Sequence, residues 1–278
     1  MNTRNPKDFL GFIKFVDDQY IHDFFNLGSL WLSNYRCFIG NKHTSEEDLI
    51  NDEFEGKLYK LQTDMPAFFT CFTLIEKNSF DEHGILKDNI SSALIDSEKC
   101  MNKNRNFVYI PKENMKLLIY NRLNNMRALI MPKKINKINE SPNYVDIFTK
   151  FINYPKNYKH YMERKEQKLF TEFCNKSNNH KAIKKIEKIE KIGWDMFCTK
   201  PDRFEVQNEL RIGIVFPFKE EDSQITNQNG IPISFNTITF ATKKFSQSSL
   251  KNLNIIDLQN LNKENLNKEK KNEEGFKK

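Results

Sequence analysis

Alternation of apolar and polar residues along positions 203–218 constrains the fold more than any other feature of the chain. The apolar positions are interrupted only by Asn208 and are Phe204, Val206, Leu210, Ile212, Ile214 and Phe216. The polar positions present Gln207, Glu209 and Arg211 in a row. Successive side chains of a strand point to opposite faces of a sheet, so this pattern predicts a long central strand with one face in the core.

The row of Gln207, Glu209 and Arg211 has two interpretations. In the first, the row is the solvated face of a half-buried sheet, on which Glu209 and Arg211 partly neutralise each other. In the second, the row forms the floor of a cleft and Glu209 is a catalytic carboxylate. The alternation alone favours the solvated face.

Shorter apolar runs predict further strands, at residues 10–16, 30–33, 67–75, 107–110, 127–131 and 231–241. The run at 67–75 is apolar on both faces, which is typical of an internal strand. Its polar points are Thr70, Cys71 and Thr73. Cys71 is a conceivable nucleophile, but no histidine lies near it in sequence, and a buried structural thiol is the favoured interpretation.

Residues 144–192 differ from the rest, because helical spacing replaces alternation there. Between residues 181 and 192 an isoleucine recurs at every third position of a strongly basic stretch. A surface helix docked by one apolar stripe is favoured over an RNA-binding or partner-binding helix. We interpret 144–192 as a helical insertion within a single α+β domain at 1–258, because strands resume after it.

Size and charge permit several functions without selecting one. A chain of 278 residues can bury a substantial core, and its 24 phenylalanines supply much of it. The 44 basic and 37 acidic residues leave a net charge of +7, a mild excess that permits binding to nucleic acid. Residues 259–278 are rich in Lys, Glu and Asn, which predicts a flexible charged tail or a frayed helix.

Five cysteines are scattered along the chain without a C-x-x-C pair or a Cys/His cluster, so no metal site is predicted. Such usage is typical of free thiols in a reducing compartment. The N-terminal residues lack the apolar segment of a signal peptide, and no run of about 18 apolar residues occurs. We therefore expect a cytoplasmic protein without a membrane span.

Four short motifs follow one another along the chain, and their order resembles that of a large bacterial family. They are Leu30-Trp-Leu-Ser33, Asp52-Glu-Phe-Glu55, Thr70-Cys-Phe-Thr73 and Gln207-Asn-Glu-Leu-Arg211. The family has the pattern L-W-x-S, D-P-F-E, C-F-S and E-x-E-x-R, is of unknown function, and is often found among anti-phage and abortive-infection genes. It is in turn similar to the ADP-ribosyltransferase fold, a split β-sandwich that holds NAD in a cleft.

The resemblance implies a split antiparallel or mixed sheet with a helical insertion, and it implies NAD as substrate. In toxin-like ADP-ribosyltransferases a first strand carries an Arg or His that grips NAD, and a middle strand carries a Ser/Thr patch. These positions correspond to Lys14 and to Thr70 and Thr73. Arg211, the last residue of the E-x-E-x-R motif, joins them as an implied NAD-binding residue.

The same resemblance implies that Glu209 and Gln207 are the catalytic residues. A late strand of the fold carries Gln/Glu-x-Glu, and its second carboxylate stabilises the cation that forms as nicotinamide leaves. A fixed carboxylate is a natural stabiliser of an oxocarbenium-like transition state. Gln207 would orient the acceptor.

Three functions follow as expectations. The first is an NAD-consuming transferase or glycohydrolase that acts as a toxin or phage-resistance effector. The second is a non-catalytic abortive-infection-type protein that binds RNA or a protein partner through its basic helical region. The third, a metal-dependent nuclease using Asp52, Glu53 and Glu55, is weaker because no carboxylate–His pattern completes the site.

Overall fold

The computed structural model describes residues 6–21, 30–38, 67–100, 104–116, 146–174, 195–215, 229–233 and 243–275. Within these residues, eight strands form one sheet with antiparallel pairings. The strands are β1 (Phe9–Val16), β2 (Leu30–Asn34), β3 (Ala67–Glu76), β4 (Asn106–Pro111), β5 (Asp146–Phe151), β6 (Glu209–Val215), β7 (Gly230–Ile233) and β8 (Lys243–Phe245). The helices that accompany them are α1 (Asp88–Cys100), α2 (Tyr158–Cys174) and α3 (Ile255–Gly275). The predicted α+β class with an antiparallel sheet is confirmed.

Strand β3 is the centre of the sheet, because three other strands pair with it. Along one edge, β6 pairs with β3 over residues 67–73. The other edge is shared, since β2 pairs with residues 68 and 69 and β1 pairs within residues 73–76. Two branches therefore leave this edge of β3, one running through β1, β4 and β8 and the other through β2 and β7.

The two faces of the sheet carry separate cores, because alternate residues of β3 point to opposite sides. One face carries a cluster that includes Phe12, Phe72, Val108, Leu210 and Ile212. The opposite face carries a cluster beside α2, with Phe69, Phe148, Met162, Leu169 and Phe197. It also carries a third cluster, with Ile75, Leu94, Phe107, Leu253 and Leu258. Full burial of side chains of this kind stabilises a fold by roughly 1.5–3 kcal/mol each.

Helix α1 forms from residues that show no clear apolar stripe in the sequence. Its buried side includes Ser91, Leu94 and Glu98, spaced as one helix face requires. The Ser91 hydroxyl donates to the Asp88 carbonyl at 3.3 Å, and Glu98 accepts two 2.6 Å hydrogen bonds from Arg105. Two of the three buried positions are thus polar, which is why the pattern does not predict this helix.

The predicted long strand at 203–218 is wrong in its first part. Asp202–Gln207 is a 3₁₀ helix, and Asn208 then takes a left-handed conformation with φ 42° and ψ 54°. Asparagine tolerates this conformation better than most residues, and its side-chain amide donates to the Leu74 carbonyl at 3.2 Å. The chain therefore turns before β6 begins. Apolar residues fall on one parity across both elements, which explains why the sequence pattern joins them.

The structure also decides two predictions about other parts of the chain. Residues 146–151, predicted to be helical, form β5, because they pair with β6 along its length. Of the two alternatives for the charged tail, the structure has a helix, α3, which extends to Gly275.

The predicted elements at 127–131 and 181–192 lie outside the described residues, as do Asp52, Glu53 and Glu55. No helix in the described part of the chain is long and apolar enough to cross a membrane.

Candidate functional site

Pairing of β3 with β6 brings three of the predicted site residues onto one face of the sheet. Thr73 lies opposite Glu209, and Cys71 lies opposite Arg211. Directly opposed residues of an antiparallel pair share a face. Thr73, Glu209 and Arg211 therefore project to the side of the sheet on which α2 and its cluster pack.

Lys200 joins the two predicted catalytic residues. Its ammonium nitrogen Nζ lies 3.1 Å from Glu209 Oε1 and 3.2 Å from Gln207 Oε1, and it donates to both. The side-chain amide of Gln207 donates in turn to the Ser97 hydroxyl of α1 at 3.3 Å. The 3₁₀ helix before β6 makes this possible, because it folds the chain back so that residue 200 reaches residues 207 and 209.

Arg211 approaches Glu209 from the other side. Its Nε donates to Glu209 Oε2 at 3.3 Å, and its Nη1 donates to the Phe197 carbonyl at 2.6 Å. The guanidinium also lies over the Phe69 ring, 4.3 Å from the ring centre. A guanidinium is suited to this position, because it stacks on aromatic faces and donates in several directions.

The backbone of Glu209 is held as firmly as its side chain. Its N–H donates to the Tyr154 hydroxyl at 3.1 Å, and its carbonyl accepts from the Ile152 N–H at 2.9 Å. Both partners belong to the segment that continues β5. Glu209 is thus fixed by contacts from three directions: this segment, Lys200 and Arg211.

The solvated-face interpretation of the polar row is wrong. Gln207, Glu209 and Arg211 are 6%, 8% and 1% exposed, and Lys200 is 6% exposed. The residues are buried because the 195–200 segment and the turn before β6 cover them. We call the set of Lys200, Gln207, Glu209 and Arg211 the buried charge cluster.

The electrostatics of this cluster keep Glu209 ionised. Burial by itself raises the pKa of the Glu209 carboxyl, but the positive charges and hydrogen bonds of Lys200 and Arg211 outweigh burial and lower that pKa below its ordinary value. The pKa values of two neighbouring groups shift in the opposite direction. Burial, reinforced by the Glu209 charge, raises the pKa of the Cys71 thiol to about 11 and raises the pKa of Tyr154 well above its usual range. Both groups are therefore neutral at physiological pH, and Cys71 is no thiolate nucleophile.

Lys14 and Thr70 lie on the other face of β3. The Lys14 ammonium donates to the Thr70 hydroxyl and, at 3.4 Å, to the Cys71 carbonyl, and it lies over the Phe72 ring. Thr70 lies opposite Ile212, on the face that carries the Phe72 cluster. Strand β1, which carries Lys14, pairs directly with β3. The six predicted site residues nevertheless fall into two groups, with β3 between them.

Lys200, Tyr154 and Ser97 were missed by the sequence reasoning. A lysine before a proline, at 200–201, has no signal that separates it from the other lysines of a Lys-rich chain. Tyr154 follows β5 and Ser97 lies on α1, and no local pattern predicts that these residues contact Glu209 and Gln207. Within the described residues, no group of three or more His, Cys, Asp or Glu side chains lies together as metal ligands would.

The cluster has one evident chemical capacity. A carboxylate that is ionised, fixed and shielded from water can stabilise a positive charge that develops beside it, because a pre-organised group needs no reorganisation during the reaction.

Comparison of the chain with protein-family models, with curated proteins and with solved structures finds no match.

Proposed function

We propose that this protein is a toxin-like or phage-resistance effector that consumes NAD, with Glu209 as its catalytic carboxylate and Gln207 beside it. One observation carries the proposal: the Glu209 carboxylate is buried yet kept ionised by Lys200 at 3.1 Å and Arg211 at 3.3 Å, with the Gln207 amide in the same cluster. Ionisable groups whose pKa values are shifted by burial and by specific charge partners concentrate at functional sites. We also propose that the sheet is related to the ADP-ribosyltransferase fold.

The chemistry assigned to Glu209 is electrostatic. The bond between the nicotinamide nitrogen and the ribose carbon breaks, its electron pair leaves with neutral nicotinamide, and positive charge develops on the ribose. The Glu209 carboxylate stabilises that charge. Water or an acceptor nucleophile then forms the new bond to carbon and loses a proton, which yields ADP-ribose or an ADP-ribosylated acceptor.

The NAD contacts in this proposal are limited to the face that carries Glu209. Thr73 and Arg211 share that face, and we retain them as NAD-binding candidates. Lys14 and Thr70 lie on the opposite face, so we leave them out of the proposed contacts. The Glu209 side chain is 10% exposed, and the ribose would approach through this exposed part.

The test is release of nicotinamide from NAD, measured with the protein alone and with cell lysate that supplies an acceptor. Glu209→Gln preserves size but removes the charge, so we expect a loss of about 100-fold or more in rate. Glu98→Gln is the matched control, because it also removes a buried carboxylate, 2% exposed, from an ion pair, with Arg105. Expression of the wild type should slow cell growth, and Glu209→Gln should relieve that effect.

Comparable nicotinamide release by folded Glu209→Gln and by the wild type would contradict the proposal. So would loss of activity in Glu98→Gln as complete as in Glu209→Gln, because the effect would then follow from destabilisation. Both variants are therefore compared at a temperature at which circular dichroism shows them folded.

A second candidate function has one observation in its favour. Helix α2 exposes Lys159, Arg164 and Lys168, and Phe170 of the same helix is 52% exposed. Exposed cations and an exposed aromatic ring are groups that contact a polyanion such as RNA. Under this alternative, growth arrest persists in Glu209→Gln and is lost when the three cations of α2 are changed to Glu.

A further inference from the structure

Lys200 is the only lysine that the described part of the chain buries. An ammonium group is costly to remove from water unless a counter-charge and hydrogen bonds replace the solvent. At Lys200 these are supplied by Glu209 Oε1 at 3.1 Å and Gln207 Oε1 at 3.2 Å. The ammonium also lies over the face of the Phe204 ring, 5.0 Å from the ring centre, which is a favourable cation–π contact.

The backbone around Lys200 is anchored to other elements, so its ammonium has a defined position. The Lys200 N–H donates to the Asn153 carbonyl at 3.0 Å, just beyond β5. Earlier in the same segment, Asp195 accepts a 2.6 Å hydrogen bond from Lys165 of α2. The segment 195–200 thus connects α2 and β5 to the cluster.

The same segment also holds the second cation. The Phe197 carbonyl accepts from Arg211 Nη1 at 2.6 Å, and the Phe197 ring meets Tyr35 edge to face at 5.3 Å between ring centres. One segment of six residues therefore fixes the cations on both sides of Glu209. One ammonium group, that of Lys200, therefore bonds both Glu209 and Gln207.

We infer that Lys200 is a positioning residue, which holds the Gln207 amide and the Glu209 carboxylate in one arrangement through its charge and its two hydrogen bonds. Its catalytic consequence rests on the proposed function. The effect of Lys200 on the Glu209 carboxylate does not rest on that function and can be measured without any substrate. Lys200 is not proposed to touch NAD.

Other charged or titratable groups face Glu209 and must be separated from Lys200 in any test. Arg211 comes from β6, Tyr154 from the segment after β5, and Cys71 from β3. Arg211 remains charged throughout the accessible pH range, and Tyr154 and Cys71 remain neutral below pH 8, because their pKa values are raised. A titration of Glu209 between about pH 2 and 8 therefore reports the loss of Lys200 without interference from these three.

The experiment follows the ¹³C chemical shift of the Glu209 carboxyl against pH, assigned with Glu209→Gln, in the wild type and in Lys200→Met. We expect the midpoint to rise by about 1–3 pH units in Lys200→Met, the usual effect of removing a neighbouring opposite charge. Lys116→Met is the matched control, because it also removes a lysine from an ion pair, with Glu113 at 2.8 Å, in a different part of the chain, and should leave the midpoint unchanged.

Two further variants guard against misfolding and against a merely structural effect. Lys200→Gln keeps a hydrogen-bond donor without the charge and should raise the midpoint as Lys200→Met does. Lys200→Arg restores the charge and should return the midpoint towards the wild-type value. An unchanged midpoint in either folded neutral variant, or equal shifts in Lys116→Met and Lys200→Met, overturns the inference.

The catalytic consequence is read from the pH profile of nicotinamide release. In Lys200→Met the acid limb should move up by the same amount as the carboxyl midpoint, because activity requires the ionised carboxylate. A shifted midpoint with an unmoved acid limb overturns the positioning role. Absence of nicotinamide release in the wild type refutes the proposed function, whereas the midpoint then still decides whether Lys200 controls the charge of Glu209.

Discussion

At the scale of single residues, Glu209 links stability to pH. Its carboxyl has a lowered pKa in the folded protein, because Lys200 and Arg211 outweigh the opposing effect of burial. A lowered folded-state pKa means that the ionised form stabilises the fold above the ordinary value, near pH 4.3. This stabilisation is lost as the pH falls through the folded-state value.

Glu209→Gln should therefore be less stable than the wild type at pH 7. We expect a difference of about 3–5 kcal/mol in the free energy of unfolding, because Lys200 and Arg211 would both stay buried without a negatively charged partner. The difference should shrink as the pH falls below about 4. Urea denaturation at a series of pH values measures it. A difference that stays constant from pH 7 to 3 would show that the carboxylate charge does not stabilise the fold.

Lys14 offers a second prediction at this scale. Its ammonium contacts the Thr70 hydroxyl, the Cys71 carbonyl at 3.4 Å and the Phe72 ring at 5.0 Å from the ring centre. Lys14→Met keeps the aliphatic stem but removes these interactions, and we expect a stability loss of about 1–3 kcal/mol in urea denaturation.

Because Lys14 lies on the opposite face of the sheet from Glu209, it would not contact NAD bound on the Glu209 face, and the KM for NAD should change less than about twofold in Lys14→Met. A large rise in KM with unchanged stability would instead support the NAD-binding role that the family resemblance implies. Thr73→Val, on the Glu209 face, serves as the comparison in the same assay.

At the scale of elements, β6 is held between β3 and β5, and its glycine allows this packing. A Cβ at Gly213 would lie 2.6 Å from the Phe148 ring and 2.7 Å from the Phe69 Cβ. Such distances are too short for real atoms, so the neighbouring strands would have to move apart.

Gly213→Ala should destabilise the protein by about 1–3 kcal/mol through overpacking, measured by urea denaturation. Combining it with Phe148→Leu frees space beside the new methyl group. The double variant should then lose less than the sum of the two single variants, by about 0.5 kcal/mol or more. Strict additivity would mean that the Phe148 ring is not what the methyl group meets.

Element pairing also explains which predictions about secondary structure held. Strands β1, β2, β3 and β4 follow the apolar runs at 10–16, 30–33, 67–75 and 107–110. Strand β5 was predicted as helix because its apolar residues suit either spacing, and pairing with β6 decided the outcome. Helix α1 was missed because its buried side includes Ser91 and Glu98, whose burial depends on partners elsewhere in the chain.

At the scale of the whole molecule, α3 ties the end of the described chain to its beginning. Leu258 is fully buried in the cluster with Ile75 and Phe107. Asn262 donates to the Leu10 carbonyl at 3.1 Å, and Tyr109 donates to the same carbonyl at 2.7 Å. Beyond these contacts Lys263, Glu264 and Leu266 are exposed.

Deletion of residues 255–278 should therefore destabilise the protein strongly, by several kcal/mol, since it uncovers Leu258 and the cluster around it. Deletion of residues 267–278 keeps those contacts and should change the unfolding midpoint little. Thermal unfolding followed by circular dichroism measures both. Equal stability of the two truncated proteins would mean that α3 contributes no packing to the domain.

The sequence by itself determined the class of the fold and the place of its central strands. Apolar runs and alternation report burial directly, because each residue in them must leave water whatever its partners are. The sequence also pointed to Glu209, Gln207 and Arg211 as a set, and these three residues do lie in one cluster.

Only the tertiary structure decided the character of that set. Whether a carboxylate is solvated or buried and ionised depends on which cations surround it, and here they come from β6 and from the segment at 195–200. Lys200 reaches Glu209 because a 3₁₀ helix and the left-handed Asn208 turn the chain between them. The separation of Lys14 and Thr70 from Glu209 likewise follows from the register of β3 with β6. Charge interactions fall off with distance, so they follow from these three-dimensional neighbours and not from spacing along the chain.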